Sequence, residues 1–224
     1  MKTTVIALPL LLTFAAHAQV LQTSPVTITS PSSGNAALNT ITSLSIPQFN
    51  VAGGTLQSIS IVFLGSLTAS AKMENLSAFP VGVTASDAGT YVLKRPDTSS
   101  IATVAPSASS VATLAAYDGV LDFAGTSGNT FADKTGTDSA SLTLSTASDL
   151  ALFSGAGNLS LTVSATATPS AIGGPNLISS TASVGYASAT VTYNYSVPEP
   201  KEYAAAVGLA LVGFAAWRRR TARR

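Results

Sequence analysis

The sequence predicts an all-β protein: a β-sandwich or jelly-roll-like body with an N-terminal signal peptide and one C-terminal transmembrane helix. Three observations predict it. Several stretches alternate apolar and polar residues with a period of two. Clusters of Gly, Pro, Asn and Asp separate them at short intervals. The body keeps no helical period, while both ends carry apolar runs beside basic residues.

The strands follow in order. Residues 22–33 are rich in Ser, Thr and Pro and suit a surface leader or a first edge strand. From Leu38 to Phe49, Ile41, Ser43 and Ser45 alternate with Thr42, Leu44 and Ile46. Gly53-Gly54 marks a turn before a β-branched and apolar run, Leu56 to Leu67. "MENLSAFPVGVTAS" reads as a short strand, a turn and another strand. Leu159, Leu161, Val163, Ala165 and Ala167 share one face, opposite Ser160, Thr162, Ser164 and Thr166. Strict period two over such a length predicts a half-buried strand. Val191, Tyr193 and Tyr195 repeat the pattern, with residue types that suit a pleated surface. Turns are expected at Lys94–Ser100, Gly125–Asn129, Gly155–Asn158 and Pro169–Asn176. A short helical turn over Ser148–Phe153 is expected, capped by Ser148 or Asp149.

The 224 residues are 46% hydrophobic and only 9% charged, far below the roughly one quarter of ordinary soluble domains. The net charge of +1 hides segregation. Between Gln19 and Val197 stand four basic residues (Lys72, Lys94, Arg95, Lys134) and eight acidic ones, a balance of −4. A body with no basic stripe lacks the electrostatic footprint of nucleic-acid binding.

The chain opens "MKTTVIALPLLLTFAAHAQV". Lys2, an apolar run from Val5 to Ala16 and the small-x-small step Ala16-His17-Ala18 have every element of a secretory signal peptide, residues 1–18. Cleavage between Ala18 and Gln19 removes His17, the single histidine. There is no cysteine. The mature chain therefore has neither the base nor the thiol of Ser-His-Asp or Cys-His catalysis. It also lacks the usual zinc ligands. No enzyme activity and no cofactor are expected. Asp118, Asp122, Asp133 and Asp138 lie in a Gly- and Asn-rich stretch that reads first as solvated turns. A calcium site of hard oxygen ligands is the alternative reading there. Tyr91, Tyr117, Phe123, Tyr186, Tyr193 and Tyr195 are candidates for a sugar platform, though spaced aromatics in strands more often form core.

At the C-terminus, Tyr203 to Trp217 gives about 15 apolar residues, roughly 22 Å of helix. That is short of the about 20 residues a bilayer asks for. Trp217 suits an interface, and Arg218, Arg219, Arg220, Arg223 and Arg224 form a basic tail (218–224) that stays cytoplasmic by the positive-inside rule. A membrane helix over about 203–217 is the expectation. Pro198-Glu199-Pro200 precedes it, and two prolines keep that step extended.

This ordered tail, residues 197–224, resembles the PEP-CTERM protein-sorting domain. The resemblance implies a substrate of exosortase, a membrane transpeptidase that acts at or near Pro198, Glu199 and Pro200. It implies export, an inner-membrane intermediate, then the cell surface, extracellular matrix or biofilm of a Gram-negative bacterium. Implied partners are exosortase, the secretion machinery and, beyond them, exopolysaccharide. The body, residues 19–196, resembles the choice-of-anchor E domain through Phe49, Asn50, Gly54, Thr55, Leu56, Glu74 and Asn75. That resemblance, which spans roughly Thr40 to Ser196, implies a domain found with different surface anchors and no biochemical activity; with the tail, the expectation is a structural or adhesive surface role. A calcium- or glycan-binding extracellular module is the alternative.

Overall fold

The computed structural model describes residues 21–29, 36–37, 41–197 and 200–221. Strands β1 (Leu21–Thr29), β2 (Ala36–Ala37), β3 (Ile41–Pro47), β4 (Thr55–Asn75), β5 (Val81–Lys94), β6 (Ser100–Val104) and β7 (Ser107–Leu114) come first. They are followed by β8 (Gly128–Leu144), helix α1 (Ala147–Phe153), β9 (Asn158–Ile172), β10 (Leu177–Ser196) and helix α2 (Pro200–Thr221). One antiparallel sheet runs β1-β10-β4-β8, with β2 also on β10. The other runs β3-β9-β5-β6, with β7 also on β5. From β3 onward the long strands β3, β4, β5, β8, β9 and β10 alternate between the two antiparallel sheets, a β-sandwich-like arrangement.

The expected alternation holds where the faces contrast. Leu44 and Ile46 are buried between exposed Ser43 and Ser45. Leu159, Leu161, Val163, Val191, Tyr193 and Tyr195 all face inward. They meet Ile59, Ile61 and Phe63 of β4 and Leu93 of β5 in a large core between the sheets. Each such side chain contributes about 1.5–3 kcal/mol on burial. A smaller core, with Ala71, Met73, Val83, Ala85 and Leu114, lies further along the same strands. Between the two the sheets approach closely. A Cβ on Gly65 of β4 would lie 2.8 Å from Val104 of the facing sheet. The buried Tyr91 fills this waist and donates its hydroxyl to the Ser66 carbonyl at 2.8 Å. Burial, and secondarily the charge of Asp87, pushes that hydroxyl up to about 12.

Several boundaries differ from the sequence reading. β4 continues unbroken through "TASAKMEN", because its inner positions there are small (Ala69, Ala71) before Met73 resumes the apolar face. β8 runs through the stretch expected as turns, with Gly136 inward where a Cβ would overlap the Ser107 carbonyl of β7. β9 continues through Pro169, on the part of the strand that β3 does not pair, so the missing N–H costs no ladder bond. The leader is partly an edge strand, β1. Helix α1 is capped by Thr146, not Ser148 or Asp149: the Thr146 hydroxyl accepts from the Asp149 N–H.

The tail is helical as expected, and Leu209, Leu211, Val212, Phe214 and Trp217 are exposed on α2. Yet among the described residues no helix is long and apolar enough to cross a membrane. The expected span is not met, because Lys201, Glu202 and the arginines close around an apolar stretch of only about 15 residues. The signal peptide with Ala18 and Gln19, and Pro198, Glu199, Arg223 and Arg224, lie outside the described residues.

The close approach at β8 makes a specific prediction. Gly136→Ala should lower unfolding stability by about 1–3 kcal/mol in urea titrations, since backbone must move. Gly82→Ala, which meets open space, should change it far less.

Candidate functional site

The long strands set up two poles. Ser196 pairs with Leu21 and Thr55, so both ends of the body meet at one pole. β10 begins opposite Asn75, about 65 Å away at 3.4 Å per residue, where the loops 76–80, 115–127 and 173–176 gather.

At that loop pole the last two residues of β4 are fully buried and polar. Glu74 accepts from the Ser127 hydroxyl at 2.5 Å and from the Phe123 N–H at 2.7 Å. The Asn75 side chain donates to the carbonyls of Phe79 and Ala115 at 2.8 and 2.6 Å and accepts from the Ser77 N–H. Its backbone N–H donates to the Ser127 carbonyl. Tyr117 N–H donates to Ser77, tying loop 76–80 to loop 115–127. Phe123 holds a positive φ of 57°, a conformation that asks for such a restraint. A buried carboxylate is stable only with its oxygens hydrogen-bonded, and Glu74 meets that condition through the loop it organises.

What these loops present is apolar. Phe79 is 77% exposed, Val120 57% and Leu121 52%, beside half-exposed Tyr117. Of the predicted aromatics, Tyr91, Tyr193 and Tyr195 are core, and Phe49 stacks on the last two. Burial also pushes the Tyr193 hydroxyl up to about 12. Tyr186 and Phe123 are partly buried. Tyr117 alone of the six is exposed, and Phe79 joins it unforeseen. The sequence signal for Phe79 was its place before Pro80, in a turn where an aromatic has no strand face to join.

The four aspartates do not converge. Asp118 and Asp122 cap their own turns, accepting from the Val120 and Ala124 N–H groups. The Val120 bond holds the Asp118 carboxyl below its usual range. Asp133 and Asp138 sit on β8, where Asp138 faces inward and accepts from the Ala105 N–H at 2.7 Å. Among the described residues no group of three or more His, Cys, Asp or Glu could hold a metal. Arg218 and Arg219 are exposed on α2.

At the opposite pole Arg95 donates to Asp149 at 2.8 Å and to the Ser100 carbonyl, fixing the β5–β6 hairpin to α1. Burial works to raise the Asp149 carboxyl, but the hydrogen bonds from Arg95 and Thr146 and the guanidinium charge outweigh it. The group is held below its usual value.

No family model and no curated protein matches the chain. Among solved structures it aligns with infectious bursal disease virus. The Gt strain structure is 15% identical over 89% of this chain and 48% of that chain, with a TM-score of 0.13. The Gx strain structure is 12% identical over 90% and 47%, with a TM-score of 0.12. The chain thus spans about half the length of those chains, and likeness this low says nothing about either fold or function.

Two outcomes test the poles. Glu74→Ala leaves two buried donors without an acceptor. It should cost about 3 kcal/mol and open loop 115–127 to limited proteolysis, whereas Asp122→Ala should leave the loop resistant. The depressed Asp149 carboxyl contributes stability that is complete above the ordinary carboxylate range near pH 4. That contribution disappears as pH falls through the lower folded value. Melting curves of Arg95→Met between pH 6 and 2 should show a weaker pH dependence than those of the unsubstituted protein.

Proposed function

We propose that the chain is an exported bacterial protein of the cell surface or extracellular matrix, with a structural or adhesive role in the envelope or biofilm. Its C-terminal segment is a sorting signal processed by an exosortase. The observation that carries this reading is the ordered tail, Pro198-Glu199-Pro200, a short apolar helix and an arginine cluster, in a chain that opens with a signal-peptide pattern. The fold supports it in two ways. Strand pairing ends at Ser196, two residues before the motif, so a cut there removes no ladder bond. The loop pole lies at the far end from the tail, where a surface protein would present its contact face.

The apolar stretch of helix α2 associates with the cytoplasmic membrane, with Trp217 at the interface. A segment too short for a regular span suits a transient intermediate. This reading gives the mature body no catalytic role, since Gln19 onward carries neither a histidine nor a cysteine.

The exposed rings of Phe79 and Tyr117 next to Asp118 favour a second reading, a glycan-binding module at the loop pole. A glycan array on the secreted body tests it, and uniform lack of binding removes it.

Mass spectrometry of the protein recovered from the surface of an exosortase-bearing host tests the main reading. The expected species begins at Gln19 and lacks Trp217 and the arginines. A mature species that keeps the arginines would overturn it.

A further inference from the structure

Asp87 is 3% exposed, at the centre of the inner face of its sheet, with Pro169 of β9 and Ala108 of β7 on either side. The facing row on the other sheet is Ser183, Ala69 and Lys134, neighbours across β10, β4 and β8. These six residues line one small cavity of about 20 Å³. Ser183 donates its hydroxyl to Oδ2 of Asp87. Oδ1 is buried and has no partner among the described residues.

An ionised carboxylate in such a place needs a donor on each oxygen, and leaving one bare costs several kcal/mol. The cavity has room for a donor, and its rim carries one cation, Lys134. The residues near Lys134 on its own strand do not compete strongly. Asp138 spends its oxygens on the N–H groups of Ala105 and Ser139, and Asp133 sits at the β8 bulge, where the register shifts opposite Ala69–Ala71. From β5, Tyr91 faces the same way as Asp87, but its hydroxyl is committed to Ser66. A lysine two strands across has a four-carbon stem that carries a compact ammonium over a small residue, and here that residue is Ala69.

We propose that this void is a binding site for a primary ammonium group, built from Asp87 Oδ1 beneath a wall of Ala69, Ala108 and Pro169. Its resident ligand is the side chain of Lys134 folded in from the β8 edge. The pair clamps the two sheets between the large and the small core. It also explains a lysine on the inner face of an edge strand, where an inward charge additionally discourages edge-to-edge pairing. A free divalent cation fits less well, because Asp87 supplies the single carboxylate lining the void, whereas calcium takes 6–8 oxygens.

The site can be emptied and refilled. Lys134→Ala removes the stem beyond Cβ, and n-propylammonium is the fragment removed. The full chain carrying Lys134→Ala should melt a few degrees below the unsubstituted protein. n-Propylammonium chloride should raise its melting temperature relative to sodium chloride at equal ionic strength, as a ligand of the folded state does. The unsubstituted protein and Lys134→Ala/Asp87→Asn should show no such rise. If Asp87→Asn does not fold, Lys134→Met serves instead: it fills the void without a charge and should melt low and ignore the amine. No response in Lys134→Ala, or an equal response in the control variants, overturns the proposal. A calcium-dependent rise shared by the unsubstituted protein and Lys134→Ala overturns it too, in favour of a free cation.

Discussion

The ladder between β4 and β10 is the constraint on which the rest depends. Leu177–Ser196 pairs with Thr55–Asn75 along nearly its whole length, with one irregularity at Asn194/Tyr195. Because side chains alternate with period two, a one-residue slip would turn Ile59, Ile61, Phe63, Val191 and Tyr193 out to solvent together. The inner face therefore fixes the register, and the register fixes both poles. It puts Glu74 and Asn75 at the end where three loops gather, and Ser196 at the end where the tail leaves. With no disulfide available, this pairing and the cores on it must hold the chain.

The parts of the fold legible in the sequence were those whose two faces differ in chemistry. β3, β9 and β10 show Leu, Ile, Val or Tyr against Ser and Thr, and the structure has them as read. The second half of β4 and nearly all of β8 were opaque for one physical reason. Where the sheets come close, the inner face needs small residues, so Ala69, Ala71 and Gly136 give no apolar signal. Lys134 and Asp138 take inner-face register positions on the edge strand β8 while staying exposed to solvent, so their charge hides the strand's face in the sequence. Pro169 looked like a turn because the sequence cannot say which edge of a strand is left unpaired. The cap of α1 is Thr146 because the helix starts at Ala147, and Thr146 and Asp149 bond each other across its first turn.

The loop pole shows the same division. Glu74 and Asn75 stood out only through resemblance, and their burial could not be read locally: each is buried by loops 40–50 residues downstream. The aspartates of 118–138 looked like a cluster because they are close in sequence. The fold separates them into two turn caps, a backbone clamp and a bulge. The aromatics followed the ordinary expectation, most being core. At this pole the exposed apolar residues include Phe79, Val120 and Leu121, whose loop position carries no periodic signal. Among the described residues, the buried Glu74, Asn75 and Ser127 shape the pole that faces away from the tail, Asp149 lies at the other pole, and Asp87 lies between the two cores.

That division of labour, a body complete at Ser196 and a tail that serves only its delivery, is measured most directly by hydrogen exchange. The full chain and a chain ending at Val197 would be compared peptide by peptide by mass spectrometry. Equal, slow exchange across β4 and β10 in both, with loop 115–127 unchanged, is the predicted result. Faster exchange across β10 and its partners in the shorter chain would contradict it, and would make the tail part of the fold.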